Sequence, residues 1–187
     1  GNCFVSGSGD GTLLVWRRQG DMWLESQELS GHTDKVNCVA LSGNGREILS
    51  GSEDKTVRLW TMTEKSGANQ NNGFGCLRTY AVEGAVWSVA FASRNDNTKL
   101  LFGVEDSGME VWERNDDEPL RVLGEGLIPR SITTWGGPEG TVVVGCFVDA
   151  VRAFGLDTGS ILAEVSLASG PITDRKSTRL NSSHDQI

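Results

Sequence analysis

Apolar and polar residues alternate over short runs of this chain, and each run ends in a break rich in Gly, Ser, Asp or Asn. Thr56-Val57-Arg58-Leu59-Trp60 is one such run, with β-branched and aromatic residues spaced as a half-buried strand requires. Ahead of it, Gly51-Ser52-Glu53-Asp54-Lys55 offers residue types that tolerate the backbone angles of a tight turn. No stretch places its apolar residues at a helical period. The pattern predicts strands over 3–6, 12–16 and 23–29, then over 36–41, 47–50, 56–60 and 76–82. Further strands are expected over 86–91, 99–102, 109–112 and 119–123, and over 130–134, 141–145, 150–154 and 161–165. The predicted fold class is all-β.

The turn and its closing strand recur. Gly7-Ser8-Gly9-Asp10-Gly11-Thr12-Leu13-Leu14-Val15-Trp16 returns as residues 51–60, more weakly as Gly103 to Trp112, and faintly between Gly145 and Phe154. The closing aromatics at 16, 60, 112 and 154 are spaced by 44, 52 and 42 residues. Units of about 40 to 45 residues with four strands each are the mark of a repeat architecture. The longer middle period has a visible cause in Lys65-Ser66-Gly67-Ala68-Asn69-Gln70-Asn71-Asn72-Gly73, an apolar-poor loop.

The second unit adds Gly31-His32 ahead of its first strand, Val36 to Leu41. With the closing Trp, this pair makes the chain resemble the WD-repeat (WD40) family of β-propellers. The resemblance covers about Cys3 to Val165 and is most specific between Ser6 and Trp60. It implies a propeller fragment of four-stranded antiparallel blades: an incomplete blade within 1–29, then blades at 35–82, 86–123 and 128–165. It also implies a hydrogen-bonded tetrad within a blade, whose four places are matched here by His32, Ser50, Asp54 and Trp60. Ser6, Asp10 and Trp16 repeat the last three of those places in the first unit. Later units depart from the pattern: Phe102 stands where Ser50 stood, Val148 takes the turn position of Asp54, and neither unit has a Gly-His pair.

His32, Ser50 and Asp54 also name the members of a hydrolase triad, but a triad is a geometry and not a residue list. The family's offsets bury these three beside an indole donor, so a structural role is expected and the chain is read as no enzyme. Gly7 to Gly11 lacks the Lys-Ser or Lys-Thr and the following helix of a phosphate loop. Trp23 and Trp135 are expected to pack between blades. Trp87 occupies the same place in its strand as Asn37, where the family's bulged strand turns side chains toward the interaction face. By that topology Asp34, Lys35, Asn37 and Glu53 sit beside Trp87 and Glu105, a face suited to a partner segment carrying Lys or Arg next to an apolar anchor; the alternative is that Trp87 is buried between blades and these charges form a solvated rim.

Residues 174–187 read differently from the rest. Asp174-Arg175-Lys176-Ser177-Thr178-Arg179-Leu180-Asn181-Ser182-Ser183-His184 is the translation of a widely used sequencing adapter, and Asp185, Gln186 and Ile187 follow as its index and next codon would encode. This tail is expected to be non-native and to pack against nothing. Without it, residues 1–173 hold 14 basic and 23 acidic side chains, a net of −9. So acidic a surface disfavours a broad nucleic-acid-binding face. Cys3, Cys38, Cys76 and Cys146 are scattered, with no C-x-x-C pair, which suggests buried reduced thiols in a cytoplasmic or nuclear protein and no zinc site. There is no membrane-span-length apolar run, and no cofactor is implied. The expected function is a protein-interaction scaffold: a monomeric propeller within a larger complex, binding a protein or peptide partner. The alternatives are a substrate-recognition part of an enzyme complex such as a ubiquitin ligase, or a nucleic-acid-associated WD-repeat protein.

Overall fold

A computed structural model of the chain describes residues 3–63, 73–92, 98–135, 141–146 and 150–166, with 141–146 described by their backbone alone. Residues 65–72 of the expected loop and the adapter-like tail lie outside the described residues, as does Val148, while Gly73, expected to end that loop, lies in a strand. Fifteen strands and no helix make up the described residues. The first sheet holds β1 (Cys3–Gly7), β2 (Leu13–Gln19) and β3 (Met22–Leu29); the second holds β4 (Val36–Leu41), β5 (Glu47–Ser52), β6 (Thr56–Thr63) and β7 (Gly73–Ala81). A third contains β8 (Val86–Phe91), β9 (Lys99–Val104), β10 (Gly108–Glu113) and β11 (Arg121–Leu123), and a fourth β12 (Pro129–Trp135), β13 (Thr141–Cys146), β14 (Ala150–Gly155) and β15 (Ile161–Ser166). Within each sheet every strand pairs antiparallel with its neighbours in chain order. The tight turns read from Gly, Asp and Ser allow only this up-and-down path.

Three apolar clusters fill the three junctions between successive sheets. Leu13, Val15 and Leu29 meet Ile48 and Trp60; Leu49, Val57, Leu59 and Tyr80 meet Phe102 and Trp112; Leu101, Met109 and Leu123 meet Phe154. The closing aromatics Trp60, Trp112 and Phe154 therefore pack back on the preceding blade, which is where the alternating pattern sends them, whereas Trp16 stacks on Phe4 of its own sheet.

Close approach depends on one recurring glycine. A Cβ at Gly7 would lie 2.6 Å from Val36 Cγ1, one at Gly51 would clash with Val86 and Cys38, and one at Gly103 would lie 2.6 Å from the Pro129 carbonyl oxygen. In each case the obstacle is the opening strand of the next sheet or a neighbour packed with it, so the missing side chain sets the spacing between blades.

Polar ties reinforce the same junctions. Gln27 Nε2 donates to the Phe74 carbonyl at 2.7 Å while Phe74 N–H donates to Gln27 Oε1 at 2.7 Å. Tyr80 Oη donates to the Arg114 carbonyl at 2.6 Å, and the Arg114 guanidinium pairs with the buried Glu47. Lys99 Nζ reaches Asp157 Oδ1 at 2.7 Å between the third and fourth sheets. Two of the tryptophans expected in the core are not there. Trp23 is 41% exposed and edges onto Phe4, and Trp135 is 69% exposed. Both sit in sheets that have a described neighbour on one side only, and their side chains fall outside the three junctions.

Candidate functional site

In the second blade the loop before β4 and the turn between β5 and β6 are joined by one chain of hydrogen bonds. Trp60 Nε1–H donates to Ser50 Oγ at 2.9 Å, and Ser50 Oγ lies 2.8 Å from His32 Nε2. His32 Nδ1 in turn lies 2.9 Å from Asp54 Oδ2. A carboxylate only accepts, so Nδ1 carries the proton and Nε2 accepts from the Ser50 hydroxyl. Asp54 also accepts from Thr33 N–H at 3.0 Å, Thr56 N–H at 2.9 Å and Thr56 Oγ1 at 2.7 Å. Burial holds the His32 imidazole below its ordinary value, against the pull of Asp54. Burial alone would raise the Asp54 carboxyl, but the donors on Thr56, Thr33 and His32 outweigh it and the net shift is downward. The His32 side chain is fully buried and that of Asp54 is 6% exposed. Ser50 Oγ is thus enclosed between an indole and an imidazole, with no room for an attacked carbonyl beside it.

The other blades share this arrangement only in part. In the first, Trp16 Nε1–H donates to Ser6 Oγ at 3.0 Å, but Asp10 is exposed and closes its own turn through Thr12 N–H and Thr12 Oγ1. In the third, Phe102 packs at a tilt against Tyr80 and Trp112, at centroid distances of 5.3 and 5.6 Å. The orphaned indole of Trp112 finds a different acceptor, donating to Glu110 Oε2 at 2.9 Å while Ser107 Oγ donates to Glu110 Oε1 at 2.8 Å. Glu110 is buried. The sequence reading missed this residue. Its signal was available: a carboxylate two before the closing Trp, directly opposite Phe102 in the ladder.

The opening strands β4, β8 and β12 each carry a bulge at their second residue, between Val36 and Cys38, Val86 and Ser88, and Pro129 and Ser131. The residues left out of the ladder are Asn37, Trp87 and Arg130, and such a residue is re-aimed relative to its neighbours. Asn37 Nδ2 donates to the Val86 carbonyl at 3.2 Å, tying its blade to the next. The Arg130 guanidinium lies over the Trp87 ring, 3.7 Å from its centroid. Arg130 follows Pro129 as Trp87 follows Val86, an equivalence masked in the sequence by the change of residue type.

Between the second and third blades a cleft of about 710 Å³ is lined by Asp34, Glu53, Trp87 and Glu105, with Lys55, Glu83 and Asp106 also on its wall. Of the six residues expected on one face, four line this cleft. Lys35 lies at its margin, its Nζ 3.4 Å from Glu53 Oε2, and Asn37 is turned to its inter-blade bond. Arg17 and Arg18 lie on β2, Arg121 on β11 and Arg130 on β12, so these guanidinium groups are spread over three sheets. Burial pushes the Cys38 thiol up to about 12, leaving it an unreactive packing group. Among the described residues there is no grouping of His, Cys, Asp and Glu that could hold a metal ion, and no helix long and apolar enough to cross a membrane.

One three-stranded and three four-stranded meander sheets, stacked so that Trp60, Trp112 and Phe154 cap the preceding blade and His32 is tied to the turn of its own, define blades of a β-propeller of the WD type. Residues 23–61 match the family profile described as WD domain, G-beta repeat. Over those residues the chain carries a WD repeat. It is similar to protein transport protein SEC13 of Chaetomium globosum, at 34% identity over 60% of this chain and 38% of that protein. The SEC13 homolog of Drosophila melanogaster is 26% identical over 60% of this chain and 31% of its own length, and human WD repeat-containing protein 18 is 40% identical over 42% and 17%. The chain spans roughly a third of the length of the SEC13 proteins it matches.

Proposed function

We propose that this chain is part of an intracellular scaffold that binds a protein or peptide partner and has no catalytic role of its own. The observation that carries the reading is the convergence of Asp34, Glu53, Trp87 and Glu105, from two blades, on one cleft. Trp87 supplies a large half-buried aromatic surface, and the carboxylates around it favour a partner segment with a Lys or Arg beside an apolar anchor. Two basic groups temper that field, Lys55 on the wall and Lys35 paired to Glu53. An exposed pair of this kind contributes little and exchanges readily for a partner's ammonium group. The hydrogen-bonded His32, Ser50, Asp54 and Trp60 serve the scaffold by fixing the loop that bears Asp34 to the turn that bears Glu53.

A pull-down with Trp87→Ala in the intact protein tests this. The variant is expected to keep its thermal stability and lose partners held by this face. Retention of every partner at unchanged stability would place the function on other blades.

A further inference from the structure

Trp87 is held on one side by the protein itself. The Arg130 guanidinium sits 3.7 Å from the centroid of its ring, yet Arg130 is not among the residues lining the cleft, whereas Trp87 is. The face under Arg130 and the surface offered to the cleft are therefore different parts of the indole. The indole N–H is buried as well. What the cleft receives from Trp87 is carbon surface whose π-electrons are already drawn toward a cation.

That arrangement decides what the ring can bind. A second cation seated on the opposite face at the same height would stand about 7 Å from the guanidinium, within the salt-screening length of about 8 Å, so the two charges repel across the half-buried ring. Repulsion of that kind offsets the attraction a bare indole would offer. A neutral aliphatic group pays no such penalty and keeps its full contact area with the ring. The partner's basic side chain is left to the carboxylates of Asp34, Glu53 and Glu105.

We infer that Arg130 is a specificity-determining residue of the cleft: by stacking on Trp87 it makes the indole a seat for a neutral apolar side chain and excludes a cationic one. This inference rests on the partner-binding role proposed for the cleft. It assigns the two parts of the partner segment to different places, an apolar anchor on Trp87 and a Lys or Arg on the acidic wall.

The test uses the intact protein and two lysine-flanked peptides that differ at one position, where one carries trimethyl-lysine and the other its neutral tert-butyl isostere. The two side chains have the same shape and differ only in charge. Wild type is expected to bind the neutral peptide more tightly, by about threefold or more, and Arg130→Met to reverse that preference. Arg130→Lys keeps a charge over the ring and is expected to keep the wild-type preference; it also serves if Arg130→Met proves unstable. Equal preference in wild type and both variants would overturn the role of Arg130 while leaving the cleft as a binding site. Failure of both peptides to bind any of the folded proteins would overturn the cleft reading itself, and the inference with it.

Discussion

His32 is kept neutral by burial, and its fixed tautomer links two elements of the blade. The consequence for stability has a definite sign. Its folded value lies below the ordinary 6.5, so on acidification the unfolded chain takes up its proton first, and stability present above about pH 6.5 is lost as the pH falls toward the folded value. Asp54 is also lowered, from 3.8, and adds a second loss only at pH values below that. Denaturant midpoints of the intact protein are expected to fall between pH 7 and pH 5 through His32, and His32→Gln should flatten that limb. Asp54→Ala removes the acceptor of the Thr33 and Thr56 N–H groups and leaves the His32 Nδ1–H only the Thr56 hydroxyl at 3.1 Å, at a cost of about 1 to 3 kcal/mol. Trp60 should be spared directly, because its indole is held by Ser50. An unchanged midpoint for Asp54→Ala would show that the hydrogen-bonded chain does not hold the blade.

At the scale of the element, the opening strands β4, β8 and β12 each carry two separate instructions. The bulge re-aims Asn37, Trp87 or Arg130, and the first residue seats against the glycine that ends the inner hairpin of the blade before. Gly51→Ala would drive a methyl group into Val86 and Cys38 and push two blades apart, costing about 1 to 3 kcal/mol. Gly9→Ala is the matched control, since a Cβ there meets open space and the backbone angle is ordinary. Thermal melts should lower the midpoint for the first and leave it almost unmoved for the second. Equal effects would mean that glycine matters here through the unfolded chain and not through blade spacing.

For the whole molecule, the acidic balance of residues 1–173 and the carboxylates on the cleft act together. Association with a basic partner segment is expected to weaken as salt shortens the screening length from about 10 Å at 0.1 M toward about 3 Å at 1 M, while the apolar junctions hold the melting temperature nearly constant. Affinity measured across that range, with the melt followed in parallel, checks this. Binding insensitive to salt would argue that Trp87 acts without the carboxylates around it.

The sequence by itself determined the all-β class, the meander order and the three kinds of residue that make a blade: alternating apolar positions, turn residues and a closing aromatic. These are local signals, because a period of two and a Gly-Asp turn constrain only their own neighbours. Its resemblance to the WD-repeat family also marked His32, Ser50, Asp54 and Trp60, at the family's offsets. Offsets could not decide that Asp10 would close its turn alone, or that Glu110 would take up the Trp112 indole when Phe102 replaced the serine, since hydrogen-bond partners are chosen by which side chains face one another across a ladder. Nor could they say that Trp23 and Trp135 would stay exposed. The pairing of Arg130 with Trp87 was beyond the sequence for a stronger reason. The two residues are 43 positions apart on separate sheets, and only the stacking of blades at glycine-set spacing brings one over the other.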